Sequence, residues 1–324
     1  MAAMDPDECT SLTIHRPQGD KFETGEWWYY AFIIPLTHLM KFWVLAKKKI
    51  FSRLGIEITQ NSLLFDQPGS VINLFKVNAK EAKALDAAYN YEDKTINWLD
   101  HFWASRMLNA RAVRNRLRIV KDLLKVETKK RIDNGQDNVR ILSLASGTGQ
   151  AEIEAVAELI EEDALNKTDV EVILIDMQRW PLQKAKRLGK ESGLTNMVRC
   201  ERKILRFPQA DQDPQANITD TLSEFAPDVV ATIGIQDYQK DAEFGLFIQA
   251  IHDGLDGGDT LLTCNIAPNA EDHALPTLLD WDIIHRSFDE LVGLAHESEF
   301  ECAEFYVEPT EVYGILALHK ASSR

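Results

Sequence analysis

Cysteine is scarce in this chain, and cationic residues are fewer than acidic ones. The cysteines are widely spaced and include no CxxC pair: Cys9, Cys200, Cys264 and Cys302. This spacing predicts a reduced, cytoplasmic protein with neither a zinc site nor a disulfide framework. The chain carries 36 lysines and arginines against 51 aspartates and glutamates, which gives a formal net charge of −15. A nucleic-acid partner is therefore disfavoured, because a polyphosphate would be repelled.

Long apolar runs are also lacking, except for one near the N-terminus. Residues 1–20 are polar and predict no signal peptide, whereas residues 27–46 are almost entirely apolar and precede three consecutive lysines. The length, the aromatic residues and the basic flank are those of a membrane segment, but an internal proline, histidine and lysine disfavour a full span. We favour a helix that packs on the protein or forms a lid. An interfacial membrane anchor and a true span remain as alternatives.

The N-terminal part of the chain is predicted to be mainly helical. Glycine and proline are absent between residues 78 and 131, and helical periodicity runs through most of this range. The linker 132–138 is rich in turn-forming residues. We therefore divide the chain into an N-terminal extension or lid, residues 1–131, and a second domain, residues 132–324.

One predicted helix of the extension, around residues 109–124, has a basic face beside an apolar stripe. The basic residues are Arg111, Arg114, Arg118, Lys121 and Lys125. We interpret this face as solvated, which is common on an acidic protein. An anion or RNA contact is the alternative.

Beyond the linker, short apolar strands alternate with helical segments. The predicted strands span 139–145, 170–176, 197–203, 227–234, 258–265, 300–307 and 312–319. Five strands that are each followed by a helix indicate a parallel sheet covered on both faces. The last two strands are joined by a connection too short for a crossover helix, so they must pair as an antiparallel hairpin. The predicted fold is α/β: a doubly wound, seven-stranded, Rossmann-like sheet closed by that hairpin.

The turn after the first of these strands is rich in small residues. Residues 141–149 read Ile-Leu-Ser-Leu-Ala-Ser-Gly-Thr-Gly and run directly into a helix, an arrangement that places a nucleotide against a helix N-terminus. No Gly-Lys-Ser/Thr sequence is present, which excludes a P-loop. A dinucleotide site would need a small residue where Glu152 stands. S-adenosylmethionine (SAM), which has no pyrophosphate, remains as the predicted cofactor.

Ligands of doubly wound sheets bind at the carboxyl ends of the strands, which selects the candidate cofactor contacts. The small residues among them follow the first and fourth strands: Ala145, Ser146, Gly147, Gly149 and Gly234. Their size lets the methionine part of SAM approach the backbone.

The second and third strands end in different ways. Asp176 closes the second strand and is predicted to accept hydrogen bonds from the two ribose hydroxyls, with a helix cap as the alternative role. Met177 follows Asp176, and its side chain is predicted to lie against the adenine ring. The third strand supplies no acid for the adenine amine. Leu205 is the cofactor contact assigned there, and the amine is left to backbone groups, Asp211 or Asp213.

Four polar residues beyond the fourth strand are the candidates for the reaction itself. Asp237 could act as a general base or orient a hydroxyl, with a helix N-cap as the alternative, and Tyr238 could hydrogen-bond or stack on substrate. Asn265 could hold a polar substrate group or satisfy its own turn. Arg286 suits a carboxylate but could instead pair with Asp282, four residues earlier. The histidines nearby lack partners at metal spacing, so no metal site is expected.

Four stretches together resemble one family. They are residues 110–116, the Leu-Ser-Leu-Ala-Ser-Gly turn at 142–147, Gly-Ile-Gln-Asp-Tyr at 234–238, and residues 279–287. Over residues 105–320 the chain is similar to bacterial class I SAM-dependent methyltransferases of 3-hydroxypalmitate methyl ester (quorum-signal) synthesis. The azetidine-2-carboxylate synthases, which cyclise SAM, look related in the same way. The resemblance implies the class I methyltransferase fold, SAM as cofactor and a small-molecule substrate.

The glycine turn departs from the broad class I pattern at two positions. Ser143 stands where that pattern has an acid, and Ala145 replaces the first glycine, which leaves the contact to the methionine amino group open. Arg114 or Asn115 from the preceding helix could supply part of it. If the acceptor is a fatty-acid carboxylate, Arg286 would be its partner and the apolar N-terminal stretch its acyl cover.

Three functions follow from this sequence. The leading one is methyl transfer from SAM to a carboxylate or hydroxyl of a small molecule, which needs mostly proximity and alignment. The second is cyclisation of SAM with release of methylthioadenosine. The third is a nucleic-acid methyltransferase or a non-catalytic partner with the SAM fold, which only the basic face supports. The sequence gives no indication of the oligomeric state.

Overall fold

The computed structural model describes residues 12–62, 65–67, 70–78, 81–92, 98–164, 169–205 and 216–322. The strands in this part of the chain are β1 (Thr13–His15), β2 (Val139–Leu144), β3 (Val170–Asp176), β4 (Val198–Arg202), β5 (Val229–Thr232), β6 (Thr260–Ile266), β7 (Cys302–Val307) and β8 (Tyr313–His319). The helices are α1 (Ile34–Arg53), α2 (Val71–Val77), α3 (Ala82–Tyr89), α4 (Trp98–Arg106), α5 (Leu108–Asp133), α6 (Gln150–Glu161), α7 (Arg179–Glu191), α8 (Ala216–Phe225), α9 (Asp241–Gly254), α10 (Leu275–Leu278) and α11 (Phe288–Glu297). A π-helical turn, Tyr29–Ile33, leads into α1, and a 3-10 turn, Gln236–Tyr238, precedes α9.

The described strands join in one sheet with the order β1-β7-β8-β6-β5-β2-β3-β4. Strands β2 to β6 are parallel, with Ile141 of β2 opposite both Val172 and Val229. Strand β8 inserts antiparallel between β6 and β7. The predicted doubly wound sheet and its closing hairpin are therefore confirmed. The sheet has eight strands rather than seven, because β1 adds a parallel edge next to β7 from a segment too short and polar to predict.

Both faces of the sheet are covered, because the central strands are apolar on both sides. On β2 and β3 the side chains alternate: Ile141 and Val172 face one hydrophobic cluster, and Leu142 and Ile173 face the other. Helices α5, α6 and α7 contribute to the first cluster, and α8, α9 and α11 to the second. This two-sided burial is what a parallel sheet requires, and it fixes the strand ends that line the site below.

The N-terminal helices share a core with the sheet. Helix α5 packs against α6 and against strands β2, β5 and β8. One hydrophobic cluster joins Tyr29, Trp103 and Leu124 of the extension to Ile141 of the sheet. The division after residue 131 stays a prediction, but the extension is packed as part of the fold and carries a strand of the sheet.

The basic face of α5 is a packing surface, so the expectation of a solvated face is wrong. Its ion pairs are Arg111–Glu26, Arg114–Glu23, Arg118–Glu23, Lys121–Glu158 and Lys125–Glu162. The first two arginines are buried. This side of α5 lies against the N-terminal segment and against α6, which supply the acids. The RNA alternative loses its support, because these charges are already paired.

Cys302, at the start of β7, is disulfide-bonded, whereas Cys200 and Cys264 are free. The expectation of a chain without disulfides is therefore wrong at this residue. Disulfides persist in oxidising compartments, so this bond lends no support to the predicted cytoplasmic location.

Candidate functional site

A cavity of about 170 Å³ lies at the carboxyl ends of β2, β3 and β5, where the strand order reverses. This is the place where ligands of doubly wound sheets bind. The cavity brings together most of the residues that the sequence selected: Ala145, Gly147, Asp176, Met177, Leu205, Gly234, Asp237 and Tyr238. Glu81, Ala82 and Leu85 line it from the side of α3, so the N-terminal extension covers the site.

The small-residue turn is held in left-handed backbone. Ala145, Gly147 and Gly149 have φ angles of 53°, 56° and 58°. A Cβ atom on Gly149 would lie 2.4 Å from Leu174 Cδ1, so only glycine lets α6 begin this close to β3. Ser146 does not line the main cavity but borders a smaller one beside it. The turn thus aims the N-terminus of α6 at the cavity.

Replacing Gly149 by alanine is expected to destabilise the protein. The left-handed backbone would cost about 1–2 kcal/mol for a residue with a Cβ, and the contact with Leu174 adds overpacking of about 1–3 kcal/mol. The matched control is Gly245→Ala in α9, where a Cβ would meet nothing within 4 Å. Thermal unfolding should show a clear loss for Gly149→Ala and none for Gly245→Ala. Equal melting temperatures for both variants would contradict the role of Gly149.

Asp176 is tied to the glycine turn by its carboxylate. The Gly147 N–H donates to Oδ2 at 3.0 Å, and the Gln178 N–H donates to Oδ1 at 2.7 Å. Burial raises the pKa of Asp176, and these backbone donors oppose that shift. The Met177 N–H also donates to this carboxylate, which retains acceptor capacity and lines the cavity, so it can accept from a ligand's hydroxyl groups. Met177 and Leu205 form an apolar edge beside it.

A second acid, Glu152, lies behind the turn and was missed as a site residue. It is buried, lines the smaller cavity with Ser143 and Thr148, and accepts a hydrogen bond from the Ser143 hydroxyl. Burial raises the pKa of Glu152. The broad class I pattern has an acid at the position of Ser143, and here Glu152 supplies that carboxyl group from the first turn of α6. In the sequence, Glu152 served only to exclude a dinucleotide, although the absence of an acid at position 143 was the signal that could have assigned it.

Asp237 is fully buried at the other end of the cavity. Its carboxylate accepts from the Ile266 N–H at 3.0 Å and from the Tyr313 hydroxyl at 3.3 Å. Burial raises the pKa of Asp237 to about 6, and nearby Arg116 opposes the shift. Helix α9 has Lys240 as its N-cap, so the alternative role of Asp237 as a cap is wrong.

Tyr238 lies next to Asp237 and also faces the cavity. Its hydroxyl accepts a hydrogen bond from Trp281 Nε1 at 2.9 Å. Burial raises the pKa of Tyr238 to about 12, so the phenol stays protonated at neutral pH.

Arg116 is the second residue that the sequence analysis missed. Its guanidinium lies 4.0 Å from the Asp237 carboxylate, 4.5 Å from the centre of the Tyr313 ring, and donates to the Tyr89 hydroxyl at 3.0 Å. Its Nε has no acceptor among the described residues. Arg116 stands three residues after Val113, a buried residue of α5, and therefore faces the core. An arginine on the core side of a helix was the signal for a functional cation.

Glycine at position 234 makes room for this arginine. Gly234 follows β5 with a φ of 97°, and a Cβ there would lie 3.2 Å from Arg116 Nη1. The guanidinium therefore reaches from α5 to the end of β5, where the sequence analysis placed the methyl acceptor.

Besides Ser146 and Gly149, three predicted site residues do not line the main cavity. Arg114 is buried against Glu23 and the carbonyl oxygens of α3 and α4, so it is not a contact to the cofactor's methionine part. Arg286 pairs with Asp241 at 2.8 Å, not with Asp282, and also donates to Asn265 Oδ1. These groups saturate each other and hold the loop after β6 in place, so the expected substrate roles of Asn265 and Arg286 are wrong.

The remaining candidates also have structural partners or fall outside the described residues. Asn115 donates to Glu308 and to the Glu23 carbonyl oxygen. His285 lies 2.9 Å from Asp272, and the His273 ring stacks on His38. Asp211 and Asp213 lie outside the described residues.

Comparisons with known proteins agree with this geometry. A family model described as "Putative methyltransferase" matches residues 76–227, a range that includes the glycine turn and Asp176. A "possible exported protein" from Bordetella parapertussis has a TM-score of 0.58 at 13% identity, over 88% of this chain and 97% of that chain. The carbon methyltransferase DszA has a TM-score of 0.50 at 15% identity, over 81% of this chain and 63% of that chain.

Magnesium protoporphyrin IX methyltransferase from Synechocystis PCC 6803, with bound S-adenosylhomocysteine (SAH), has a TM-score of 0.49 at 10% identity, over 77% of this chain and 97% of that chain. None of the curated proteins matches this sequence. The predicted fold is confirmed by the Bordetella and DszA structures, and the family model agrees with the predicted methyltransferase class over the residues that it matches. The finer resemblance to quorum-signal methyltransferases or azetidine-2-carboxylate synthases stays a prediction.

Proposed function

We propose that this protein is a SAM-dependent methyltransferase that methylates an oxygen atom, of a carboxylate or a hydroxyl group, on a small molecule. The main support is the hydrogen bond from the Gly147 N–H to Asp176, which joins the glycine turn and the strand-end acid on one wall of the cavity. That pair is what a nucleoside with a free ribose needs, and SAM is such a nucleoside.

The residues around the cavity fit SAM from end to end. Asp176 accepts from the ribose hydroxyls, and Met177 and Leu205 hold the adenine edge. Gly147 lets the methionine part pass close to the backbone, and buried Glu152 offers a negative charge for its ammonium group. A buried carboxylate without a cation is unfavourable, so a cationic ligand group would stabilise it.

The opposite wall provides the groups that an oxygen acceptor requires. Arg116 can pair with a carboxylate, because its Nε lacks an acceptor in the described residues. Asp237 lies beside it and can accept the proton of a hydroxyl group. Tyr238 and Trp281 add a flat aromatic surface, which their mutual hydrogen bond holds in place.

The transfer itself is a displacement at carbon. An oxygen lone pair forms the bond to the methyl carbon while the S–CH3 bond breaks and its electron pair returns to sulfur, which leaves SAH. A carboxylate acceptor needs no base, whereas a hydroxyl acceptor passes its proton to Asp237. SAM supplies the methyl group, and the protein holds the two reactants in line and excludes water.

Product analysis tests this proposal. The purified chain is incubated with SAM and panels of small carboxylic acids and hydroxylated compounds, and mass spectrometry identifies the sulfur product. We expect SAH, formed only with an acceptor that gains one methyl group. Methylthioadenosine released without any acceptor would show cyclisation instead and would overturn the proposal.

Replacing Arg116 by lysine separates acceptor binding from cofactor binding. Lysine keeps the charge beside Asp237 but cannot make two parallel hydrogen bonds to a carboxylate. We expect KM for a carboxylate acceptor to rise about tenfold or more, since a charge-assisted hydrogen bond is worth roughly 1.5–3 kcal/mol. The affinity for SAM, measured by calorimetry on the same variant, should stay within about threefold. An unchanged KM would remove Arg116 from the acceptor site.

A further inference from the structure

Helix α1 carries an apolar surface that the described fold does not cover. One helix of the described chain, from Tyr29 to Arg53, is long and apolar enough to cross a membrane, and only 17% of its most apolar window is buried. The large exposed side chains of this segment are Tyr30, Phe32, Leu36, Leu39, Phe42, Trp43, Leu45 and Ile50. Trp27 and Leu54, which lie just beyond the two ends of this segment, are also exposed. A contiguous apolar surface of this kind marks an interaction site.

The opposite side of α1 is fixed to the folded chain. The Tyr29 hydroxyl donates to the Glu271 carboxylate, the Thr37 hydroxyl lies 3.0 Å from His273 Nε2, and Val44 is buried. Helix α1 also packs against α10. It therefore lies along the protein with one narrow face attached and a broad apolar face turned outward.

The charge of this segment is opposite to that of the protein as a whole. No aspartate or glutamate occurs between Trp27 and Ile56, in a chain that has 51 of them. Lys49 and Arg53 are exposed at the C-terminal end of α1, and no described carboxylate lies within ion-pair distance of them. Aromatic and aliphatic side chains next to unpaired cations are the composition of a helix that binds an anionic lipid surface.

We propose that α1 docks the protein on the surface of an anionic phospholipid bilayer, lying in the plane of the interface. Its exposed apolar face enters the boundary between headgroups and acyl chains, and Lys49 and Arg53 contact the headgroups. A transmembrane orientation does not fit, because the Tyr29–Thr37–Val44 face is already packed on a polar, folded domain. This proposal is independent of the methyl-transfer proposal, since it concerns only α1.

Vesicle flotation tests the docking. The full chain is mixed with vesicles of phosphatidylcholine alone or of phosphatidylcholine with phosphatidylglycerol, at low and high salt. We expect binding to both, tighter with phosphatidylglycerol, and weakened by salt only on the anionic vesicles. The variant Lys49→Gln/Arg53→Gln should lose about fivefold in affinity per removed charge on anionic vesicles and nothing on neutral ones.

A matched pair of single substitutions tests the apolar contact. Leu39 in α1 and Ile14 in β1 are exposed to similar extents, 63% and 58%, so either can be replaced by glutamine without opening the core. We expect Leu39→Gln to weaken vesicle binding about tenfold or more, because a buried leucine side chain contributes roughly 1.5–3 kcal/mol, and Ile14→Gln to leave it unchanged. Far-ultraviolet circular dichroism checks that both variants are folded.

Two results would overturn the docking proposal. One is absence of vesicle binding by the folded wild-type chain at low salt. The other is a dimer, seen by analytical ultracentrifugation without lipid and dissociated by Leu39→Gln, which would assign the apolar face to a second copy of this chain.

Discussion

Replacing Asp176 by alanine is expected to weaken the binding of SAM and SAH by at least about a hundredfold. The carboxylate is the proposed acceptor for both ribose hydroxyls, and a hydrogen bond to a charged group contributes roughly 1.5–3 kcal/mol. Loss of two such bonds predicts an affinity at least about a hundredfold lower. Asp176→Asn keeps one acceptor oxygen and should fall between the wild type and the alanine variant. Calorimetric titration with SAH measures the whole series.

Two controls separate ribose binding from a structural role of Asp176. The alanine variant also removes the acceptor of the Gly147 and Gln178 N–H groups, so its thermal unfolding must be measured beside its affinity. Asp122→Ala removes an acid that pairs with Lys21 outside the cavity and should bind SAH normally. If Asp176→Ala bound SAH as tightly as Asp122→Ala does, the assignment of the ribose contact would fail.

Replacing Asp237 by asparagine is expected to slow the reaction and to stabilise the fold at neutral pH. Burial raises the pKa of Asp237 to about 6, above its ordinary value of 3.8. The native protein thus binds a proton more tightly than the unfolded chain, and the free energy of unfolding falls as pH rises from about 4 to about 6. Asparagine carries no charge, so we expect Asp237→Asn to raise the free energy of unfolding by about 1–3 kcal/mol at pH 7 and to leave it unchanged at pH 3.

The kinetic effect of Asp237→Asn depends on the acceptor. General base catalysis typically contributes roughly 10²–10⁴-fold, so kcat for a hydroxyl acceptor should fall about a hundredfold or more. A carboxylate needs no base, and its kcat should fall less than about tenfold. In the wild type, kcat for a hydroxyl acceptor should also decline as pH drops through about 6, because the protonated acid cannot accept a proton.

Asp259 provides the matched control for this variant. Burial also raises its pKa, to about 7, and it lies outside the cavity, just before β6. Asp259→Asn should therefore raise the stability at neutral pH without a change in kcat. If both variants left kcat unchanged for hydroxyl and carboxylate acceptors alike, Asp237 would be a structural acid only.

The parts of the site that could be predicted depend on local sequence. The glycine turn and Asp176 each follow an apolar strand directly, and parallel strands bring their carboxyl ends together. The parallel sheet covered on both faces follows from the alternation of strands and helices. These features need no knowledge of which distant segments meet.

The parts that were wrong depend on long-range packing. Arg114 and Arg116 are two residues apart on α5, and only the approach of Glu23 to one and of the end of β5 to the other decides their roles. Arg286 has Asp282 as its acidic neighbour in the sequence, four residues earlier, but meets Asp241 and Asn265 in the fold. Arg114 and Arg286 were therefore selected for their residue type alone, and in the fold each forms a structural ion pair instead of a ligand contact.

The most direct measurement of the central claim is a calorimetric titration of the wild-type chain with SAH. The cavity beside Asp176 predicts a single site with a dissociation constant in the micromolar range. Absence of binding at millimolar SAH, from a sample that still unfolds cooperatively on heating, would contradict the claim that this protein holds SAM.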